Sequence, residues 1–158
     1  MSHALRQSGV NNTIIRRISV SVNSNRLNYS LWDAVKNDPR YKPGRSRITF
    51  TNNATIGAST PGAFALSIPS NFSNGDEIFF INNGTVIGAG GKGGDAGDGD
   101  NNGAAGQSVN GSALFVRHPV TISNNGTIAG GGGGAAFRPD GAGARGLARF
   151  PTSRSAEQ

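Results

Sequence analysis

Phe50-Thr51-Asn52-Asn53-Ala54-Thr55-Ile56-Gly57 returns as Phe80-Ile81-Asn82-Asn83-Gly84-Thr85-Val86-Ile87-Gly88 and again as Ile122-Ser123-Asn124-Asn125-Gly126-Thr127-Ile128-Ala129-Gly130. The shared unit is an apolar strand, an Asn-Asn-Gly/Ala corner, and a Thr followed by Val or Ile. The strand buries one face, Asn and Gly turn the corner in left-handed backbone, and a second short strand resumes. The offsets of 30 and 42 residues are unequal. They argue against a regular solenoid and for a stack of β-turn-β units with variable insertions.

Outward from the repeat the pattern stays β. Residues 13–22 are rich in β-branched side chains, with Ile18, Val20 and Val22 on one face. Further strands are expected over 47–51, 63–68, 77–81, 113–116 and 120–123, separated by turns such as Ser73-Asn74-Gly75-Asp76. Their large apolar residues, chiefly Phe50, Phe64, Leu66, Ile68, Ile78, Phe79, Phe80, Leu114 and Phe115, suffice for a thin core layer. One short helix is expected at Leu31-Trp32-Asp33-Ala34-Val35, opened by Ser30 with Asp33 three residues on and stopped by Pro39 and Lys42-Pro43-Gly44.

Twenty of the 25 glycines lie in residues 80–158. Gly88, Gly91, Gly94, Gly97, Gly103 and Gly106 recur every third residue, with Asp100 at the one missed step. Three residues is the period of a polyproline-II-like helix, in which a row of glycines lets neighbouring chains approach closely. Each tract, this one and Gly130–Gly134, directly follows the Asn-Asn-Gly-Thr unit. That placement favours architecture over linker. The fold class expected is therefore mostly β: a short-strand, glycine-rich body with polyglycine-II-like or extended glycine loops and one short helix near the N-terminus, working as an oligomer.

Composition narrows function. At 35% hydrophobic and 15% charged, the 158 residues cannot build a conventional enzyme core. No apolar run approaches membrane-span length, and no signal-peptide h-region is legible. The absence of Cys excludes disulfides and thiolate chemistry. Residues 1–50 carry +7, residues 51–137 carry −3 and residues 138–158 carry +2. A basic end on a slightly acidic body implies two working parts. The expected division is a basic attachment segment over 1–46, a glycine-rich β domain over 47–137, and a basic extended tail over 138–158. Arg16, Arg17, Arg26, Arg45 and Arg47 are the candidate anchoring residues. They form no dense block and no nucleic-acid motif surrounds them, so protein docking is expected and nucleic-acid binding is not.

Catalytic and metal constellations are weak. Asp98-Gly99-Asp100-Asn101-Asn102-Gly103 opens like a Ca²⁺ loop, but position twelve is Val109, not a bidentate Glu. His118, between Arg117 and Pro119, has no nucleophile elbow to serve and is expected exposed or at an interface. Asp76 and Glu77 adjoin and would face opposite ways on a strand, which does not suit a glycosidase pair. Gly90-Gly91-Lys92-Gly93 lacks the ending of a phosphate loop. No enzyme activity, cofactor or metal is expected. The residues that interrupt glycine with polar or aromatic groups, Asp95, Asp98, Asp100, Asn101, Asn102, Phe137, Arg138 and Asp140, are the candidate contact residues.

Asn82–Gly97 (NNGTVIGAGGKGGDAG) and Asn124–Gly134 (NNGTIAGGGGG) resemble the glycine-rich distal segments of tailed-bacteriophage tail-tip and tail-fibre proteins. The likeness extends to the end of lambda-like central tail-tip proteins and to the glycine-rich adhesins of T-even-like phages, and covers residues 46–137. It implies a virion component at the tail end that is bound to other phage structural proteins, trimeric in many such fibres, and that contacts a host surface receptor. The alternative is a capsid decoration, collar or adaptor protein with a structural role only.

Overall fold

The computed structural model describes residues 14–95 and 104–134, which divide into two compact units. The first, over Met1–Gly90 and Val109–Gly131, holds all the described secondary structure. Its elements are β1 (Arg16–Val22), β2 (Arg26–Leu27), β3 (Tyr29–Ser30), α1 (Leu31–Val35), β4 (Ser46–Asn52), β5 (Thr55–Gly57), β6 (Leu66–Ile68), β7 (Glu77–Asn82), β8 (Thr85–Ile87), β9 (Leu114–Val116), β10 (Val120–Asn124) and β11 (Thr127–Ala129).

Every strand pairing is parallel, in three sheets ordered β1-β4-β7-β10, β11-β8-β5-β2 and β3-β6-β9. Each pass of the chain through the sheets lays one rung on the last. The result is a parallel β-solenoid of four rungs. The repeat maps onto it directly, since Phe50 pairs with Phe80 and Phe80 with Ile122. The first rung belongs to the same series, Val20 pairing with Phe50, although Val20-Ser21-Val22-Asn23 hides the repeat behind substitutions.

The uneven offset has a simple origin. Eight residues join Gly57 to Leu66, whereas twenty-six join their partners Ile87 and Leu114. The next connection shortens, from nine residues between Ile68 and Ile78 to three between Val116 and Val120. The net difference is the twelve residues by which 42 exceeds 30. The expectation against a regular solenoid is thereby corrected: registers within the strands are regular, and only the connections vary.

Alternation along β4 and β7 sends Ile48, Phe50, Ile78 and Phe80 inward with Ile56, Leu66, Ile68 and Val86. Tyr29, Phe50 and Phe80 form one stack, with ring centroids 5.4 and 5.1 Å apart. Fully burying each such aromatic ring contributes roughly 1.5–3 kcal/mol. Phe64, Phe79 and Phe115 sit half-buried outside this core. Phe64 stacks on Phe115 at 4.4 Å, with Arg117 over Phe115, and Arg47 lies over Phe79.

Ser30 caps α1, its hydroxyl oxygen accepting from the Asp33 N–H at 3.3 Å. Leu31 and Val35 on the helix are completely buried, so α1 closes part of the first rung. Gly44 and Gly75 have φ of 73° and 97° in successive turns, and a Cβ on Gly75 would fall 2.7 Å from the Gly44 carbonyl oxygen. Only glycine fits there.

The second unit, over Gly91–Ser108 and Gly132–Gln158, is described at 91–95, 104–108 and 132–134. These three segments cross-link through their backbones: Gly91 N–H donates to Gly132 at 2.8 Å, Gln107 to Lys92 at 2.8 Å and Gly134 to Gln107 at 3.3 Å. A Cβ on Gly91 would lie 2.1 Å from the Gln107 oxygen, and one on Gly94 would lie 2.0 Å from that of Ala104. The period of three in the sequence thus puts a glycine wherever a neighbouring backbone crosses.

Candidate functional site

Two surfaces hold the residues singled out by sequence. In the second unit, Gly91 faces Gln107 and Gly94 faces Ala104, so the legs 91–95 and 104–108 run antiparallel and residues 96–103 join their ends. Such legs have little room for side chains, and chemical variety is displaced to the connection. Asp95 is the last described residue before it, exposed and 3.8 Å from the Lys92 ammonium. Asp98, Asp100, Asn101 and Asn102, with the Asp98–Gly103 loop, lie outside the described residues, as do Phe137, Arg138 and Asp140.

The first two rungs carry the other set. Arg16 and Arg17 open β1, Arg26 begins β2, and Arg45 precedes β4; all four are exposed and have no carboxylate partner among the described residues. Arg47 differs. It pairs with Glu77 across β4 and β7 and lies over the Phe79 ring, so it is tied to its own sheet. Arg17 stands directly opposite Arg47, placing like charges side by side at the sheet edge.

Of these arginines Arg26 alone lines a recess of about 390 Å³, together with Val22, Asn23, Leu27, Tyr29 and Asp33 among others. Leu27 is 66% exposed there. Tyr29 is half-buried, and that burial raises its phenol pKa against the opposing influence of the Arg26 charge. Asp33 is held by Lys36, whose ammonium bond is the main cause of its lowered pKa.

Sequence reasoning missed the asparagine ladders. The inner column joins Asn52 Nδ2 to Asn82 Oδ1 at 2.9 Å and Asn82 Nδ2 to Asn124 Oδ1 at 2.7 Å. The outer column runs oppositely: Asn125, Asn83 and Asn53 donate in turn to Asn83, Asn53 and Asn23 at 3.0, 3.0 and 2.8 Å. The signal was present in the repeated Asn-Asn pair, read only as a turn.

A buried cluster also brings together Asp76, Tyr41 and His118. Asp76 accepts from the Tyr41 hydroxyl at 2.7 Å and from the Ser46 and Ser73 N–H groups at 3.1 and 2.9 Å. His118 Nε2 lies 3.0 Å from the Asp76 carbonyl oxygen, and the residue is 8% exposed, not superficial as expected. The carboxylate ties the 41–46 segment to its own turn at 73–76, and His118 meets the same residue at its backbone carbonyl. Glu77 is exposed, so the adjacent acids do face apart. Among the described residues no group of three or more potential metal ligands converges, and no helix is long and apolar enough to cross a membrane.

The described fold is a parallel β-solenoid that continues in sequence into side-chain-poor glycine legs. The sequence model of the phage tail fibre adhesin Gp38 family matches residues 17–157, and the chain belongs to that family. It is thus a tail-fibre component contributing to host-receptor binding, placed in the virion tail and not on the capsid or at the collar. No curated protein and no solved structure matches it.

Proposed function

We propose that this adhesin meets its receptor through the connections between glycine legs and is held to the fibre by its basic first rung. The antiparallel run of 91–95 and 104–108 supports the first part, because 96–103 is the stretch of sequence between these two side-chain-poor legs. Asp95, Asp98, Asp100, Asn101 and Asn102 are the contact residues of that connection, with Phe137, Arg138 and Asp140 serving after the second tract. The protein acts by binding and turns nothing over. Its attachment segment is 1–46, its glycine-rich β domain 47–137 and its tail 138–158, with unpaired Arg16, Arg17, Arg26 and Arg45 facing the fibre. Arg47 supports the sheet through Glu77. The likeness of the glycine tracts to lambda-like tail-tip ends supports a receptor-facing place for them. Self-association, the trimer included, would use the exposed Ile87, Val116 and Ile122.

The experiment is host adsorption by virions carrying D98N together with D100N, with the adhesin quantified on purified particles. Normal incorporation with adsorption reduced about ten-fold is expected. Unchanged adsorption removes this connection from the receptor site.

A further inference from the structure

The recess on the first rung lies where the outer ladder ends. Each amide nitrogen in that ladder points to the preceding rung, Asn53 giving its Nδ2 hydrogen to Asn23 Oδ1. Asn23 is the first member, and its own Nδ2 has no partner among the described residues. Beside it stands Arg26, also without a carboxylate, and Leu27 exposes most of its side chain. The recess has an acid of its own, Asp33, but Lys36 occupies it. An amide donor open to solvent, an arginine with no carboxylate partner among the described residues and a bare apolar side chain thus share one concavity.

We propose that this recess is a socket for an acidic extended segment of the adjoining tail-fibre component. A Glu or Asp carboxylate of that segment bonds the Arg26 guanidinium and Asn23 Nδ2, and a neighbouring apolar side chain covers Leu27. The proposal rests on the reading that the first rung faces the fibre. The choice of an acidic occupant follows from charge complementarity, because Arg26 lines the recess with no carboxylate partner among the described residues and the one acid there, Asp33, is paired with Lys36. An extended segment suits the site because β1 and β2 are edge strands among the described residues, and an edge with a directional amide is what a further strand would meet. A cation held this way fixes register as well as charge. A partner slipped by one residue would turn its carboxylate to the opposite face.

The test uses the full-length, ¹⁵N-labelled chain and two blocked pentapeptides, acetyl-Val-Thr-Glu-Val-Thr-amide and its Gln counterpart. The Glu peptide is expected to shift the amide signals of Asn23, Arg26, Leu27 and Asn28 and to bind at least ten-fold more tightly than the Gln peptide, with R26Q erasing the difference. Equal binding of the two peptides, shifts elsewhere, or no shifts overturn the socket. Virions separate this from the attachment reading. R26E and L27D should each strip the adhesin from particles, whereas R117E, on a distant exposed arginine, should not. If R26E and L27D particles keep the adhesin while R16E with R17E particles lose it, the socket falls and attachment by the first rung stands. If all three keep it, attachment by this rung falls as well.

Discussion

Asn82 sits directly on Asn52, its side-chain oxygen 2.9 Å from the Asn52 amide nitrogen, with neither residue exposed to solvent. The same Asn52 nitrogen reaches the Thr85 carbonyl oxygen at 3.3 Å, and Asn82 repeats the arrangement on Asn124 and Thr127 at 2.7 and 3.1 Å. The carbonyls accept only, so they fix which way each carboxamide faces and make the column directional. Polar groups occupy core positions here because each is satisfied by the rung beside it.

Asn82→Ala should therefore destabilise the solenoid by about 2–4 kcal/mol, since it deletes bonds on both sides and leaves the buried Asn52 amide short of a partner. Urea denaturation of the two proteins measures this. Asn83→Ala, on the exposed outer column, should cost under about 1 kcal/mol by the same assay.

Gly91→Ala should disrupt the second unit, because the added Cβ would lie 2.1 Å from the Gln107 carbonyl oxygen. Gly132→Ala should not, since nothing lies within 4 Å of its Cβ position. Amide hydrogen exchange across 91–108 separates the two variants. Protection should fall in the first and persist in the second, with β4 and β7 unaffected in both.

Tyr41 gives an alkaline signature. Burial first, then its bond to Asp76, raises its phenol pKa above the ordinary value of 10. The neutral hydroxyl is thus preferred in the folded chain, and its contribution is complete below about pH 10 and lost as pH rises through the folded value. Tyr41→Phe should lower stability at neutral pH by about 1–2 kcal/mol and flatten the decline above pH 10. Thermal melts from pH 7 to 11 test both parts.

Asp38 gives an acid one. Side-chain and backbone bonds to Arg40 hold its carboxyl at about 2. Its contribution is present above about pH 4 and fades as pH falls through that lower value. Asp38→Asn should remove a part of the acid-side decline between about pH 4 and 2 without altering the alkaline side. Titration of the melting temperature in both proteins shows it.

The sequence by itself determined that the chain is β, that its corner is Asn-Asn-Gly, and that glycine recurs at the period of a polyproline-II-like leg. Phe50, Phe80 and the cap at Ser30 were legible because each is a local matter of alternation, turn chemistry or capping. Only the tertiary structure decided that the units stack as parallel rungs, because a repeat offset sums the lengths of its connections and hides a register held constant within the strands. It also decided that Val20-Ser21-Val22-Asn23 is a first rung, and that Phe64, Phe79 and Phe115 pack outside the core. The recess at Asn23, Arg26 and Leu27 is tertiary in the same sense. Of these only Arg26 stands out along the chain, for its charge, and the three become one concave surface only because a stack must end somewhere. What an end leaves unpaired depends on the direction of its ladders, and that direction is set by contacts thirty residues apart in sequence.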